Sequence, residues 1–207
     1  YWAVGYRGSS LYNFLNVRFQ ITDKDTPAAD STFVPVFDED PDVDVYLNTN
    51  SQPRISLIYK PILVSDSAAA FDAIHAKDFD PRQEVVLENG NALPPRTDGE
   101  SKLYYTRRTS LEQTIVAITP SPAYLVLSEV WYPGWITLVN GHQVEIIRAN
   151  YAFRAVYLPA GDHKIEMYFQ PKSWLLGLAT TLATIVVTVV YISWNLMANK
   201  SLFEIRK

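Results

Sequence analysis

A short part of the chain concentrates aromatic side chains of the kind that bind sugars or lipid headgroups. Trp131, Tyr132, Trp135 and Tyr151 lie within residues 131–151, and aromatic rings with flat apolar faces and polar rims stack on such ligands. Large aromatics also dominate protein cores, and we favour core packing over a ligand-binding platform for this group. Because strand side chains alternate, Trp131 and Trp135 are expected on one face and Tyr132 on the other, so at least one should be exposed.

The sequence gives little support for catalytic or metal-binding chemistry. The sequence has no cysteine, no Gly-x-Ser-x-Gly or His-Glu-x-x-His motif, and no glycine-rich phosphate loop. Its three histidines, His75, His142 and His163, fall in separate predicted elements, and His163 is predicted to fix the turn that precedes it. The acidic run 38–42 lacks the spacing of a calcium loop. We therefore assign no catalytic residue, metal ligand or cofactor, and whether the chain acts as an enzyme stays open.

One apolar segment organises the chain. Residues 174–196 contain no charged residue and no proline. A helix rises about 1.5 Å per residue, so this segment is long enough to cross the roughly 30 Å hydrocarbon layer of a bilayer. Trp174 at one end, and Tyr191 with Trp194 at the other, are typical of the headgroup level. The segment predicts a transmembrane helix in contact with membrane lipid.

Small and polar side chains recur along this helix at spacings of four, three, four and seven residues. They are Gly177, Thr181, Thr184, Thr188 and Asn195. Such a stripe lets helix backbones approach and form hydrogen bonds across the contact. We predict packing against other transmembrane helices, of the same polytopic protein or of a complex. The alternative is that the hydroxyls bond to carbonyls of their own helix.

The charges that flank the span predict its orientation. Lys200, Arg206 and Lys207 follow the span against the single acid Glu204, whereas residues 1–171 carry 14 basic and 21 acidic residues. Positive charge is retained on the cytoplasmic side. The large domain is therefore predicted to be extracytoplasmic and the C-terminus cytoplasmic. A domain this acidic offers no electrostatic surface for nucleic acid.

The rest of the chain predicts an α+β, mainly β fold. Residues 65–75 read as a helix capped by Ser65 or Asp66, and Asn140-Gly141 marks a hairpin. The predicted organisation is a small mixed α/β part at 1–88, a linker at 89–101, an antiparallel β-sandwich at 102–171, the transmembrane helix at 174–196 and a cytoplasmic tail at 197–207.

Several short runs in the second half come in one order at close spacing. They are YLVLSE at 124–129, YPGW at 132–135, NG at 140–141, RANYAFRA at 148–155, PAGDH at 159–163 and YFQP at 168–171. With the apolar helix that follows, this block resembles the C-terminal region of YfhO-type bacterial membrane proteins. One departure is Asn140, where the family pattern has Asp, and both residues suit the turn.

The resemblance implies a polytopic protein of the bacterial cell membrane with a glycosyltransferase C-type fold that transfers sugar from a polyprenyl-phosphate donor. It implies catalytic carboxylates in loops between early membrane helices, so none is carried onto this sequence. The expected role of the domain is to cover the membrane-embedded site and to help position donor or acceptor. The alternative is a non-catalytic accessory or scaffold subunit of a larger membrane complex. Because the sequence begins at Tyr1, we expect either a removed signal peptide or a longer polytopic parent.

Overall fold

The computed structural model describes residues 10–204. Within them the elements are, in chain order, α1 (Ser10–Phe14), β1 (Phe19–Asp23), β2 (Phe33–Phe37), β3 (Val43–Asn48), β4 (Ile55–Ile58), β5 (Lys60–Leu63), α2 (Ser67–Ile74), β6 (Glu84–Leu87), β7 (Lys102–Arg108), β8 (Glu112–Thr119), β9 (Ala123–Val130), β10 (Trp135–Val139), β11 (His142–Val144), β12 (Ile147–Ala149), β13 (Phe153–Leu158), β14 (Gly161–Phe169) and α3 (Lys172–Glu204). The strands form three sheets, which confirms the predicted mainly β class.

A five-stranded sheet has the order β11-β10-β14-β8-β7. Burial alternates along β8, where Ile115 and Ala117 are fully buried between partly exposed neighbours, so one face of the sheet lies against the interior. The predicted hairpin joins β10 to β11: Asn140 and Gly141 both have positive φ, at 51° and 82°, as a type I′ turn requires. The Asn140 carboxamide also accepts a 2.8 Å hydrogen bond from the Lys164 amide, which ties the turn to β14.

A six-stranded sheet has the order β4-β9-β13-β12-β6-β5. Its pairings are antiparallel except for the parallel pair β5–β6. The first and last strands in this order, β4 and β5, are separated in sequence only by Tyr59. The sheet therefore curls back on itself, and its two ends meet at Tyr59.

The two larger sheets pack face to face. Ala123 to Leu127 of β9 are all buried, which is the pattern of a strand covered on both sides. Glu129 on β9 accepts a 2.6 Å hydrogen bond from Gln113 on β8 of the other sheet. The Tyr59 hydroxyl lies 2.9 Å from Thr119 Oγ1, which also belongs to the five-stranded sheet. The sequence predicted a sandwich confined to residues 102–171, and in the structure β4, β5 and β6, which precede that range, also contribute strands.

Residues 89–101 connect β6 of the six-stranded sheet to β7 of the five-stranded sheet. The segment is held by the sandwich: the Tyr124 hydroxyl donates to the Asn91 carbonyl and accepts from the Asn91 amide, at 3.0 and 2.8 Å. Strands from both sides of the segment share the six-stranded sheet. The domain boundary placed at 89–101 by the sequence stays a prediction.

The three-stranded sheet, in the order β1-β3-β2, turns its apolar side outward. Phe19 and Ile21 on β1 are 55% and 68% exposed, while Asp44 and Asn48 on β3 are buried. Strand register places Phe19 opposite Leu47 and Ile21 opposite Val45, so these side chains share one face. Half-exposed antiparallel sheets usually have the reverse arrangement. We call this surface the outer apolar face.

A second compact unit joins residues 133–135 to the chain from residue 169 onward. Within it the Gln170 amide donates to the Gly134 carbonyl at 2.6 Å, and the rings of Trp135 and Phe169 lie 5.4 Å apart. Helix α3 is long and apolar enough to cross a membrane from Lys172 to Met197, close to the predicted span. The helix continues to Glu204, and residues 205–207 of the predicted tail lie outside the described residues.

Candidate functional site

Trp131 lies at the surface end of the six-stranded sheet. Its amide donates to the Ala152 carbonyl at 2.7 Å, which places it beside the loop between β12 and β13. The Arg148 guanidinium lies 4.7 Å from the centre of the indole ring, a cation–π contact that holds a half-buried ring in place. Trp131 is therefore a fixed aromatic surface rather than a fully buried core residue.

Tyr151 is positioned by unusual backbone geometry. Asn150 and Tyr151 both adopt positive φ, at 47° and 69°, a conformation that costs energy for residues other than glycine. The surrounding structure enforces it, because the Asn150 amide donates to the Val86 carbonyl and its carboxamide oxygen accepts from the Val86 amide, both at 2.8 Å. This geometry brings the Tyr151 ring within 5.5 Å of the Phe71 ring on α2.

A shallow hollow of about 360 Å³ opens beside Tyr151. It is lined by Ser67, Ala68, Phe71, Asp72 and Tyr151. Tyr151 is 38% exposed, so part of its ring is available to a ligand. Aromatic rings next to a hydroxyl and a carboxylate match the apolar faces and hydroxyl groups of a sugar. We refer to this hollow as the Tyr151 hollow.

Helix α2 presents these residues because its start is firmly capped. The Asp66 carboxylate accepts a 2.9 Å hydrogen bond from the Ala69 amide, as the sequence predicted for a helix beginning here. Hydrogen bonds from the Ala69 amide and the Ser65 hydroxyl lower the pKa of Asp66 below its ordinary value. The cap therefore stays charged at neutral pH and fixes Ser67 at the rim of the hollow.

The structure divides the four predicted aromatics rather than joining them in one platform. Tyr132 and Tyr151 are exposed, so core packing does not describe these two, and the expectation that at least one of the aromatics is exposed is confirmed. Trp135 packs on Phe169 in the second unit. Strand alternation does not apply to residues 131–134, because β9 ends at Val130 and β10 begins at Trp135. The role of these aromatics in ligand binding stays a prediction.

The polar side chains of the membrane helix bond to their own backbone. The Thr181 hydroxyl donates to the Gly177 carbonyl and the Thr184 hydroxyl to the Thr180 carbonyl, both at 2.9 Å. The Asn195 carboxamide donates to the Tyr191 carbonyl at 3.0 Å. These bonds are those of the alternative considered from the sequence. The predicted helix-packing stripe, with Thr188, stays a prediction, since such hydroxyls can bond to a partner helix as well.

Two of the three histidines, His163 and His75, have structural roles. His163 is buried, and its Nε2 lies 2.8 Å from the Pro159 carbonyl, which fixes the turn before β14 as predicted. His75 forms the C-cap of α2. Among residues 10–204, no three His, Asp or Glu side chains are grouped so that they could hold a metal ion.

Residues 96–181 match the model of a family described as bacterial membrane protein YfhO. This region is of the YfhO type. The match runs from just before β7, through β14, into the first ten residues of α3. No curated protein and no solved structure matches the chain. The family match and the candidate span together support membrane localisation.

The YfhO-type region contains part of the candidate site. Trp131, Tyr132, Trp135 and Tyr151 lie inside the matched residues, whereas Phe71 and Asp72 lie outside them. The sequence did not single out Ser67, Phe71 or Asp72 as ligand contacts. The cap at Asp66 identified their helix, but nothing local in the sequence signals that α2 packs beside Tyr151, which is 80 residues later than Phe71.

Proposed function

We propose that the chain is the C-terminal extracytoplasmic domain and a membrane helix of a YfhO-type membrane glycosyltransferase. Its role is to cover the membrane-embedded site and to help position a polyprenyl-linked sugar donor or the acceptor. The observation that carries this proposal is the YfhO match, which continues without a break from the β domain into α3. Two residues separate β14 from α3, so the β domain is joined to the candidate span by a short connection.

The contribution of this domain is binding and orientation rather than bond breaking. Holding a substrate in place converts an encounter in solution into a reaction between neighbours, and this supplies a large part of enzymatic rate enhancement. In the Tyr151 hollow the rings of Tyr151 and Phe71 contact the apolar face of a sugar, and Ser67 and Asp72 bond to its hydroxyls. The acid and base of the reaction belong to other parts of the enzyme.

The proposed orientation predicts one-sided labelling. Because the chain contains no cysteine, Gln143→Cys on the exposed hairpin strand β11 introduces a single reactive thiol. It should react with a membrane-impermeant maleimide in intact cells. The control is Ser201→Cys, beyond the span, which should react only after the membrane is permeabilised. The reverse pattern would place the domain in the cytoplasm and remove the proposed role.

Tyr151→Ala tests the hollow itself. Loss of the ring should raise the KM for transfer of labelled sugar in native membranes by about two- to tenfold, because an aromatic contact contributes about 0.5–1.5 kcal/mol. The kcat should change less. Tyr104→Ala is the matched control, since Tyr104 is 51% exposed on β7, away from the hollow. Equal KM values for the two variants would contradict the hollow as a sugar contact.

The outer apolar face favours a second function, an accessory or scaffold subunit. Phe19 and Ile21 are exposed on this face, and strand register adds Val34 and Phe37 of β2, which lie opposite Leu47 and Val45 and are also exposed. Exposed patches of this kind mark interaction surfaces. The intact mass of the protein extracted from its native membrane separates the two functions. A mass well above 23.5 kDa supports the polytopic transferase, and a mass near that value supports the subunit.

A further inference from the structure

A cleft of about 560 Å³ opens where the two ends of the six-stranded sheet meet. Its lining comes from the bend between β4 and β5, the turn before β6 and the loop after β6. The mouths of curled or closed sheets are common places for small-molecule sites, and sites of this kind measure roughly 300–1,000 Å³. Among the described residues that line this cleft, Lys60, Arg82 and Arg96 are basic and none is acidic.

Arg96 is held in place although it lies on a loop. Its guanidinium carbon sits 4.4 Å from the centre of the Tyr59 ring, a stacked cation–π contact. The Tyr59 hydroxyl is fixed in turn by Ser101 Oγ at 2.7 Å and Thr119 Oγ1 at 2.9 Å. The guanidinium is therefore oriented before any ligand arrives, and a preorganised group loses less freedom on binding.

Arg82 and Lys60 are also oriented, by carboxylates that do not line the cleft. Arg82 Nε and Nη2 lie 3.0 and 3.3 Å from the two carboxylate oxygens of Asp80. Lys60 Nζ lies 2.5 Å from Glu84 Oε1. These bonds use only part of the donors of each cation, so the N–H groups on Arg82 Nη1 remain for a ligand.

In the part of the chain that the structure describes, Arg96 makes no ion pair, so the cleft keeps one uncompensated positive charge.

The rest of the lining is mostly apolar: it includes Pro61, Leu93 and Pro94, with Gln83 as an uncharged polar member. Proline side chains give up little conformational freedom when a ligand binds.

We propose that this cleft binds the phosphoryl group of a phosphate monoester, with Arg96 and Arg82 as its anchors. Guanidinium groups match the oxygens of a phosphate bidentately, and two of them reach the same cleft beside a lysine. The organic part of the ligand lies against the proline and leucine walls. This site is separate from the Tyr151 hollow and does not depend on the proposed transferase function.

Isothermal titration calorimetry of the intact chain in detergent tests the site, with glucose 1-phosphate and inorganic phosphate as probes at fixed low salt. Arg96→Gln should weaken the binding of both probes about tenfold or more, because it removes a charge-assisted bidentate contact. Arg96→Lys should lose less, since it keeps the charge without the fork. Arg107→Gln is the control, because Arg107 is an exposed arginine on β7 paired with Glu112, outside the cleft.

The outcomes are distinct. Glucose 1-phosphate binding more tightly than phosphate supports the site and shows that the walls contact the organic part, whereas equal affinities support recognition of the phosphoryl group alone. Absence of binding at millimolar concentration would overturn the proposal, as would equal losses in Arg96→Gln and Arg107→Gln. A thermal unfolding curve for each variant separates loss of binding from loss of fold. This test does not depend on which side of the membrane the domain faces, nor on the sugar-transfer measurements.

Discussion

Replacing Glu129 with leucine is expected to lower the free energy of unfolding by about 3–5 kcal/mol. Glu129 is the partner of Arg154, which is 1% exposed on β13. Glu129 also accepts from Gln113 Nε2 at 2.6 Å and from Arg108 Nη2 at 3.3 Å. The substitution removes the negative charge at the centre of this cluster and leaves a buried guanidinium without its carboxylate.

The electrostatics of Arg154 explain why the effect should be large. Burial lowers the pKa of the Arg154 guanidinium, and the neighbouring Glu129 charge acts in the opposite direction. Burial also raises the pKa of the nearby Tyr105 phenol, with the Glu129 charge adding to the shift. Arginine does not lose its proton in a protein, so the folded state must carry a charged group in the interior. Without Glu129 that charge loses its carboxylate partner, and much less of its desolvation is offset.

Urea unfolding of the detergent-solubilised chain, followed by tryptophan fluorescence, measures the effect. Glu112→Gln is the control: it breaks the exposed pair of Glu112 with Arg107, whose closest atoms are 2.7 Å apart, and should cost less than about 1 kcal/mol. The double variant Glu129→Leu with Arg154→Met should recover most of the loss, because both charges are then absent. A loss below about 1 kcal/mol for Glu129→Leu alone would show that Arg154 is solvated.

Phe153→Ala is expected to destabilise the protein by about 3–5 kcal/mol. Phe153 is 4% exposed at the start of β13, and its ring meets the Phe14 ring edge-on, with centres 5.1 Å apart. Both residues belong to one buried cluster, which also includes Tyr124 and Val86. Removal of the ring leaves a cavity that packed neighbours fill only in part, and the aromatic pair is lost as well.

The same unfolding measurement tests this prediction, with Phe19→Ala as the matched control. Phe19 is 55% exposed on β1, so its truncation should cost less than about 1 kcal/mol. Because Phe153 contacts a residue from the beginning of the chain, a single unfolding transition shifted as a whole is expected. Two separate transitions would instead support the domain boundary predicted at residues 89–101.

Features set by neighbouring residues were predictable from the sequence. Asn140-Gly141 predicted its hairpin because few residue pairs accept two positive φ values. Asp66 predicted the start of α2 because its carboxylate satisfies a free amide of the first turn. The apolar run at 174–196 predicted a helix that could span a membrane because its length and composition suffice for that inference.

The arrangement of the sheets was not predictable in the same way. The six-stranded sheet pairs Ile55 with Leu127 and Leu87 with Ala149, and these partners are too far apart in sequence for any local pattern to indicate them. Strand pairing depends on which apolar faces fit together, and several registers satisfy the same alternation. The strand alternation applied to the aromatics at residues 131–135 could not allow for the gap between β9, which ends at Val130, and β10, which begins at Trp135.

The sequence by itself therefore determined the mainly β class, the membrane helix and the likeness to YfhO-type proteins, because each depends on residue type and local spacing. Only the tertiary structure decided that Tyr151 lies beside Phe71, and that Arg82 and Arg96 reach one cleft. It also decided that Phe19 and Ile21 face outward. These are long-range contacts, set by how the curled sheet and α2 pack and by backbone conformations that the packing enforces.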